Sequence, residues 1–143
     1  MKNSEFPLLA EYLKPELTPV IIVDKIKWIK LDQLMKLKKA FDERINNYNL
    51  ALKDDQTQEI VHFYHSSFYA PELNMDYIRW IKHLENKHDK NDLYLHKVEE
   101  MSIIFRENTI MTIMQKNDHQ KEQKYIIWKN IEDHWLITQK GTI

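Results

Sequence analysis

The amino-acid sequence predicts an α+β domain in which three helices come first and a meander of about four strands follows. Three observations support this class. Between residues 32 and 84, apolar residues recur every three or four positions, which is the period of an amphipathic helix. From residue 93 onward the apolar period changes to two, as in a strand with one buried face. Short polar turns separate the later strands, so consecutive strands are expected to be antiparallel.

Residues 1–30 are predicted to form a short helix–strand arm. Leu8, Leu9, Tyr12 and Leu13 have helical spacing, and Pro15 ends that helix. The run TPVIIVD at residues 18–24 then contains four β-branched apolar residues in succession, as in a strand covered on both faces. Because an uncovered apolar strand promotes aggregation, we expect the domain or a second copy of the chain to cover it.

Residues 31–143 are predicted to form the main domain, which begins with three helices. The first starts at the N-cap Asp32 and shows apolar residues in steps of three and four as far as residue 52. The second runs from about Asp55 to residue 64 and has Gln58 at capping-box spacing. A loop at residues 66–74 leads to the third helix, which starts near Asn74.

Four strands are predicted in the second half of the chain. The first is a long strand at residues 93–105, whose apolar residues share one parity. The others cover residues 110–115, 124–129 and 135–139, with turns at 106–109, 117–122 and 130–133. A curved sheet of this kind can wrap around helices and leave a mouth in which ligands bind.

The composition excludes several classes of protein. The 143 residues suffice for one domain whose core needs no disulfide or metal. The absence of cysteine excludes a disulfide framework, a thiolate zinc site and a cysteine nucleophile. The single glycine, Gly141, excludes glycine-rich phosphate-binding loops, and turns with positive φ are expected to use Asn or Asp. A net charge of -1 gives no field that attracts nucleic acid or an anionic membrane.

Segments that would direct the chain to or across a membrane are absent from the sequence. No run approaches the roughly 18 apolar residues of a membrane span. Residues 1–16 lack the apolar centre of a signal peptide. The sequence as written is therefore expected to remain in the cytoplasm.

Two histidines, His62 and His65, lie three positions apart on the predicted second helix. A helical metal site needs a third ligand and usually a carboxylate, and the candidates to approach are His83 and His88 on the third helix. Such a pair is more often found at the surface or at a helix cap. No metal and no other cofactor is therefore predicted.

Glu99 has the same parity as the apolar residues of the long strand at residues 93–105. In an unbroken strand its carboxylate would face the interior, where burial raises a carboxyl pKa and suits the group to general acid–base catalysis. A β-bulge near Lys97 and Val98 would instead turn Glu99 to solvent, and long curved strands commonly contain such a bulge. Glu99 is therefore a catalytic candidate in an alternative interpretation, and the preferred one has no catalytic residue.

Aromatic residues supply most of the predicted ligand pocket. With four Trp and seven Tyr in the chain, some are expected to face a cavity, although aromatic residues at core spacing more often simply fill a core. Buried indole and phenol groups also need hydrogen-bond partners. One glutamine could supply a polar anchor. The predicted pocket residues are Tyr48, Tyr64, Trp80, Gln115, Trp128 and Trp135.

Several segments resemble the nuclear transport factor 2-like (SnoaL-like) cone domain, namely AFDERINNYNLALKDD, IVHFYHSSF and KYIIWKNIEDHWLITQ. More narrowly, IRWIKHL, IMTIMQK and the terminal WLI are similar to the C-terminal accessory domain of YkuD-type bacterial L,D-transpeptidases. Residues 1–30 resemble the end of the catalytic domain of those enzymes. Family members tend to have an acid where this chain has Gln139.

The resemblance implies a cone-shaped, curved antiparallel sheet packed on three helices. It also implies a non-catalytic binding or scaffolding module of the periplasm or cell envelope, with a peptidoglycan fragment, a small molecule, a partner enzyme or a second copy of the chain as its partner. The transpeptidase signature of a His and a Ser-His-Gly-Cys run is absent, so that reaction cannot occur on this chain. The alternative is a cofactor-free enzyme of the SnoaL or steroid-isomerase type, in which Glu99 or a histidine transfers a proton.

Overall fold

The structure, a computed structural model, describes residues 30–86, 97–99, 101–114 and 123–143. Residues 1–29 of the predicted arm lie outside the described residues, as do the pocket candidate Gln115, His88 and the turn at residues 117–122. The elements of the described part are α1 (Leu31–Lys53), α2 (Thr57–Val61), β1 (Tyr64–Ala70), a 3-10 helix (Pro71–Leu73), β2 (Met75–Asp76), α3 (Tyr77–Glu85), β3 (Met101–Arg106), β4 (Thr109–Met114), β5 (Lys124–Ile131) and β6 (His134–Thr142).

The strands form one curved, unclosed sheet in the order β2-β1-β6-β5-β4-β3. Strands β3 to β6 are the antiparallel meander that the short turns predicted. Strand β1 extends this meander by pairing in parallel with β6, where Tyr64 lies opposite Ile137 and Tyr69 opposite Gln139. Strand β2 then pairs antiparallel with β1. The predicted α+β class with three helices is confirmed, and the sheet has two strands more than the meander alone.

The second helix is shorter than the sequence predicted. It ends at Val61, and β1 occupies part of the segment that was predicted to be a loop. The buried residues of β1 are Tyr64, Phe68 and Ala70, so the spacing is four and then two. The ladder between β1 and β6 is irregular between Tyr64 and Tyr69, and this irregularity removes the strict alternation by which strands are recognised.

Helix α1 packs its buried face on β5 and β6. Phe41 contacts the rings of Trp128 and Trp135 edge-on, with ring centroids 5.4 and 5.5 Å apart. Tyr48 lies two helical turns further along and contacts Trp128 edge-on at 5.7 Å. Edge-on packing is a favoured geometry of aromatic pairs. Helix α3 packs on β1 through Trp80, whose ring lies 5.4 Å from that of Phe68.

Arg44 joins α1 to two other elements. Its Nε donates to the carbonyl of Trp135 at 2.9 Å, and its Nη2 donates to the carbonyl of His62 at 3.2 Å. The guanidinium also lies 3.9 Å above the ring centre of Phe63. Burial of the guanidinium lowers the pKa of Arg44. One side chain thus fixes the helix relative to β6 and to the end of α2.

Positive φ values occur at turns, as expected for a chain with one glycine. Asp55, Asn74 and Asp133 have positive φ, which confirms the prediction that Asn or Asp would take these positions. Glu107 and Glu132 have positive φ as well. Glutamate lacks the short polar side chain that makes this conformation acceptable for Asn and Asp, so these two turns are strained.

The turn between β5 and β6 gives a prediction about stability. Its two central residues, Glu132 and Asp133, have φ values of 50° and 63°, for which Asn-Gly is the favoured pair. We expect the double change Glu132→Asn and Asp133→Gly to raise the free energy of unfolding in urea by about 1–2 kcal/mol. Asp54→Gly is the control, because φ is -87° at Asp54 and the added flexibility should lower stability. A lower free energy of unfolding for the double variant than for wild type would contradict the strain at this turn.

The glycine of the chain lies where two side chains approach β6 closely. A Cβ at Gly141 would be 2.7 Å from Oε1 of Glu72 and 2.7 Å from the hydroxyl of Tyr125. The same Glu72 oxygen accepts hydrogen bonds from the backbone N–H and the hydroxyl of Thr142, at 2.6 and 3.0 Å. The position therefore needs glycine for close approach rather than for positive φ.

Glu72 makes the stability of the fold depend on pH. Burial alone would raise the pKa of Glu72, but the hydrogen bonds from Thr142 and the charge of Lys124 outweigh it and hold the pKa below its usual range. A carboxyl group with a lower pKa in the folded state stabilises the fold above its unfolded-state pKa. That contribution is lost as the pH falls through the folded-state pKa.

We expect Glu72→Gln to lower the free energy of unfolding at neutral pH by at most about 1 kcal/mol, because the carboxylate is largely exposed. The difference from wild type should shrink as the pH falls through the carboxyl range, and denaturant unfolding at a series of pH values measures it. Glu43→Gln on α1 controls for the change of charge. A difference that stays constant down to acidic pH would contradict the role of the Glu72 carboxylate.

Among the described residues, no helix is both long and apolar enough to span a membrane.

Candidate functional site

A lysine lies among the buried aromatic residues. Lys140 of β6 is 7% exposed, and its Nζ donates to the Tyr48 hydroxyl at 2.9 Å and to the Tyr64 hydroxyl at 3.4 Å. The two hydroxyl oxygens are themselves 3.4 Å apart. The ring of Trp80 lies over the ammonium with its centroid 6.0 Å from Nζ. We call Tyr48, Tyr64, Trp80 and Lys140 the Lys140 cluster; its members come from α1, β1, α3 and β6.

A bulge in β6 turns Lys140 toward the interior. Because Ile137 is buried, strict alternation would bring Gln139 inward and Lys140 outward. The pairing of β6 with β5 shifts between Ile137 and Gln139, so Thr138 is the extra residue of a bulge. The faces are exchanged beyond this point, and Gln139 donates instead to the hydroxyl of Tyr125 at 2.6 Å.

The surroundings of Lys140 stabilise a positive charge. Burying an ammonium group is unfavourable unless hydrogen bonds and nearby negative potential replace water. The phenol oxygens accept hydrogen bonds from it, and the ring centroids of Tyr48 and Tyr64 lie 5.5 and 5.8 Å from Nζ, within the range of cation–π attraction. The cluster therefore places a cationic hydrogen-bond donor inside an otherwise apolar region.

The other two predicted pocket aromatics, Trp128 and Trp135, belong to a separate group around Phe41. Nε1 of Trp128 donates to the hydroxyl of Thr112 at 3.2 Å, and that hydroxyl lies 3.4 Å from the carbonyl oxygen of Ile126. Trp128 is fully buried and its polar group has a partner. Its contact with Tyr48 places this group beside the Lys140 cluster.

The structure thus brings three of the six predicted pocket residues together, namely Tyr48, Tyr64 and Trp80. Lys140 and Thr112, the buried polar residues of the described chain, were missed by sequence analysis. A lysine is usually exposed, and a bulge cannot be recognised from alternation alone. The available signal was Gly141 beside it, because a glycine within a strand often marks a bulge or a close approach.

Glu99 faces solvent, which is the orientation that the preferred interpretation expected, and the alternative in which an unbroken strand turns it inward does not hold. Its side chain is 69% exposed and lies 4.0 Å from the Lys97 ammonium. Val98 is buried instead, at 3% exposure. The side chain of Asn49 on α1 accepts from the Val98 N–H at 2.8 Å and donates to the Val98 carbonyl at 3.1 Å. The Asn49 side chain therefore holds the segment at residues 97–99. Strand β3 begins only at Met101, so the alternation of inward and outward side chains in β3 does not include Glu99.

His62 and His65 lie on different elements and do not share a helix face; a surface or cap position was the preferred interpretation, and His62 has a cap position. Helix α2 ends at Val61, His62 is its C-cap, and His65 lies in β1. Nδ1 of His65 lies 2.7 Å from the Ser67 hydroxyl and accepts from the Ser67 N–H at 3.1 Å. Within the described ranges no group of three or more His, Asp or Glu side chains could hold a metal.

Three solved structures have a similar fold. Bd1075 from Bdellovibrio bacteriovorus matches with a TM-score of 0.67 and 18% identity, over 99% of this chain and 52% of that protein. A candidate scytalone dehydratase from Novosphingobium aromaticivorans DSM 12444 has a TM-score of 0.56 and 12% identity, over 79% of this chain and 87% of that one. An NTF-2 like protein of unknown function from Shewanella oneidensis MR-1 has a TM-score of 0.49 and 11% identity, over 73% of this chain and 97% of that protein.

The fold is that of a nuclear transport factor 2-like cone, with a curved and unclosed six-stranded sheet and few helices, as the sequence predicted. The sequence itself matches no protein-family model and none of the curated proteins. This chain spans about half the length of Bd1075. At these identities the likenesses establish the fold alone.

Proposed function

We propose that this chain is a non-catalytic binding or scaffolding module, similar to the accessory domain of YkuD-type L,D-transpeptidases, with peptidoglycan as its binding partner. The observation that carries the proposal is the content of the interior. Interlocked aromatic rings and the Lys140 ammonium occupy it, whereas Glu99, the carboxylate considered for proton transfer, lies in solvent. A binding module needs hydrogen-bond donors and aromatic surface, and it does not need a general base.

The extent of the structural likeness supports the scaffolding part of the proposal. The architecture of this chain corresponds to 52% of the length of Bd1075. A domain of this fold therefore occurs as one part of a longer chain, where it can contact a neighbouring domain. A partner enzyme is accordingly a proposed partner of this chain, and a second copy of the chain is another.

The proposed ligand site is centred on the Lys140 cluster. Tyr48, Tyr64 and Trp80, which are buried in the described structure, are its proposed aromatic residues, and Lys140 is its proposed charged residue. Trp128 and Trp135 would support this surface from the adjoining aromatic group, and Gln115 stays a proposed polar contact. Peptidoglycan is a suitable partner for such a site, because its peptides carry carboxylates and its sugars present apolar faces to aromatic rings.

Co-sedimentation with purified peptidoglycan sacculi tests the proposal. The wild-type protein should pellet with sacculi in a saturable manner, and Lys140→Met should bind at least about tenfold more weakly, since a charged hydrogen bond is lost. Glu99→Gln is the matched control on the solvent side and should bind like wild type. Wild-type protein that stays in the supernatant at every sacculus concentration would overturn peptidoglycan binding.

A cofactor-free enzyme of the SnoaL or steroid-isomerase type is a second candidate, favoured by one observation. Lys140 and the hydroxyls of Tyr48 and Tyr64 form a connected set of groups that can donate protons to a developing oxyanion. Exchange of the α-protons of a cyclic ketone in D2O, present in wild type and lost in Tyr48→Phe, would support this candidate. Absence of exchange across a panel of ketones would count against it.

A further inference from the structure

Strand β3 lies at an edge of the sheet, and in the described part of the chain a strand pairs with it on one side only. The partner on that side is β4. In an antiparallel pair the backbone N–H and C=O groups of alternate residues point away from the partner, so half of those in β3 point outward from the sheet. We call this open side of β3 the β3 edge. Such an edge can pair with a further strand.

Strand β3 lacks the features that usually prevent further pairing. Edge strands in natural proteins commonly contain charged side chains, proline or a β-bulge. The sequence of β3, MSIIFR, contains no proline, and its charged residue is the last one. Its ladder with β4 is regular from Met101 to Arg106. The other edge strand of the described sheet, β2, has two residues. The β3 edge is therefore the place where this sheet can be extended.

The core is incompletely covered at β3. Inward-facing residues of the inner strands, such as Ile110 and Ile126, are fully buried. The residues of β3 that pack on the same core are only partly buried; they are Met101, Ile103 and Phe105. The first turns of α1 are open as well, since Leu31 is 71% exposed and Met35 is 63% exposed. Apolar surface therefore remains open both at β3 and at the start of α1.

We infer that residues 18–24, TPVIIVD, pair with the β3 edge as a seventh strand that lies parallel to β3. The run of four β-branched residues is typical of a parallel strand with both faces apolar, and its alternate side chains lie beside Ile103 on the inner face and Ile104 on the outer face. Pro19 and Asp24 flank the run, so the extended sheet ends in a strand with the proline and the charge that protect an edge. The pairing does not involve the Lys140 cluster, so it does not depend on the proposed function.

The course of α1 sets the direction of the pairing. Phe41 contacts Trp128, which lies in the same cross-strand row as Phe105 of β3. Further along the helix, Asn49 bonds the backbone of Val98, which precedes β3. Helix α1 therefore runs in the direction opposite to β3, and its N-terminus lies beyond the carboxyl end of β3.

The length of chain between the segment and α1 permits a parallel pairing and excludes an antiparallel one. Leu31 lies about 15 Å beyond Phe41, because ten residues of helix separate them. The connecting residues 25–30 span at most about 20 Å. Parallel pairing places Asp24 at the carboxyl end of β3, within this reach. Antiparallel pairing would place it beside Met101, about 28 Å from the start of α1.

Hydrogen exchange at the backbone amides of β3 tests the inference, because paired amides exchange slowly. In the wild-type protein the amides that point to the β3 edge should exchange slowly, at equal rates in two samples about tenfold apart in protein concentration. Ile22→Pro removes a backbone N–H and interrupts the added strand. It should speed the exchange of the edge amides at least about tenfold and leave the amides that point to β4 unchanged. Asn3→Pro, outside the segment, is the control and should change neither set.

Three results would overturn the inference. Fast exchange of the edge amides in the wild-type protein would show that no strand pairs there. Slow exchange that is lost on dilution would assign the β3 edge to a second copy of the chain. Slow exchange that persists in Ile22→Pro would assign it to another segment. If Ile22→Pro does not fold, nuclear Overhauser effects between residues 20–23 and β3 in the wild-type protein decide the question, and their absence would refute the pairing.

Discussion

Trp128→Ala should lower the free energy of unfolding by about 3–5 kcal/mol, which is a large part of the stability of a domain of this size. Trp128 is fully buried, and the rings of Phe41 and Tyr48 contact it edge-on at 5.4 and 5.7 Å. Truncation leaves a cavity that the strand backbone of β5 cannot close, because β4 and β6 hold it on both sides. Urea unfolding followed by circular dichroism measures the change.

Two further variants separate packing from hydrogen bonding at this position. Trp128→Phe keeps an aromatic ring and should cost about 1–2 kcal/mol. Thr112→Val removes the acceptor of the indole N–H, and we expect it to cost about 1–3 kcal/mol because it leaves a buried donor unpaired. Tyr69→Ala, at a residue that is 43% exposed, is the control for loss of an aromatic ring. A cost below about 1 kcal/mol for Trp128→Ala would contradict a packed interior.

Trp128 also connects stability to the proposed ligand site. Its ring contacts Tyr48, and Tyr48 is the nearer of the two phenols that bind Lys140. Loss of the indole removes one wall that keeps Tyr48 in place. Trp128→Phe should therefore weaken binding to sacculi while the protein stays folded, whereas Tyr69→Phe, at a residue that is 43% exposed, should leave binding unchanged.

The elements that the sequence predicts correctly each bury one face and pair or pack with residues nearby in the chain. The steps of three and four at Phe41, Ile45 and Tyr48 predicted the buried face of α1, and all three are buried. The hairpin strands β3 to β6 follow from alternation and from polar turns, since each pairs with its neighbour in sequence. Such contacts leave a pattern within a window of ten or so residues.

Strand β1 could not be predicted in the same way. It pairs in parallel with β6, which lies about 70 residues later in the chain, so no local turn signals the pairing. Its residues His65, Ser66 and Ser67 are polar, and the irregular ladder breaks the alternation. The sequence there is typical of a loop, and the tertiary partner decides the conformation.

Lys140, the charged residue of the candidate site, was not predicted for a related reason. Lys140 faces inward because of the bulge at Thr138, and Glu99 faces outward because Asn49 fixes the segment before β3. At Lys140 the irregularity exchanges the two faces of the strand, so a period of two assigns this side chain to the wrong side, whereas the outward orientation of Glu99 was the preferred interpretation. Tyr48 and Trp80 were predicted because the helical period is regular where they lie, and Tyr64 was predicted as part of the second helix although it lies in β1.

Asn49→Ala tests the contact that sets the orientation of Glu99. The Asn49 amide replaces a neighbouring strand for Val98, since it bonds both the N–H and the carbonyl of that buried residue. Its loss leaves two backbone groups unpaired, and we expect the free energy of unfolding to fall by about 2–3 kcal/mol. Hydrogen exchange at the Val98 amide should become faster, because exchange reports local opening.

Two variants of the same helix show what each hydrogen bond contributes. Asn49→Asp keeps an acceptor for the Val98 N–H but loses the donor to its carbonyl, so its exchange rate should lie between those of wild type and Asn49→Ala. Asn46→Ala, at an exposed position of α1, should change stability by no more than about 0.5 kcal/mol. If exchange at Val98 is the same in Asn49→Ala as in wild type, the segment is held by other contacts, and the outward orientation of Glu99 has a cause other than Asn49.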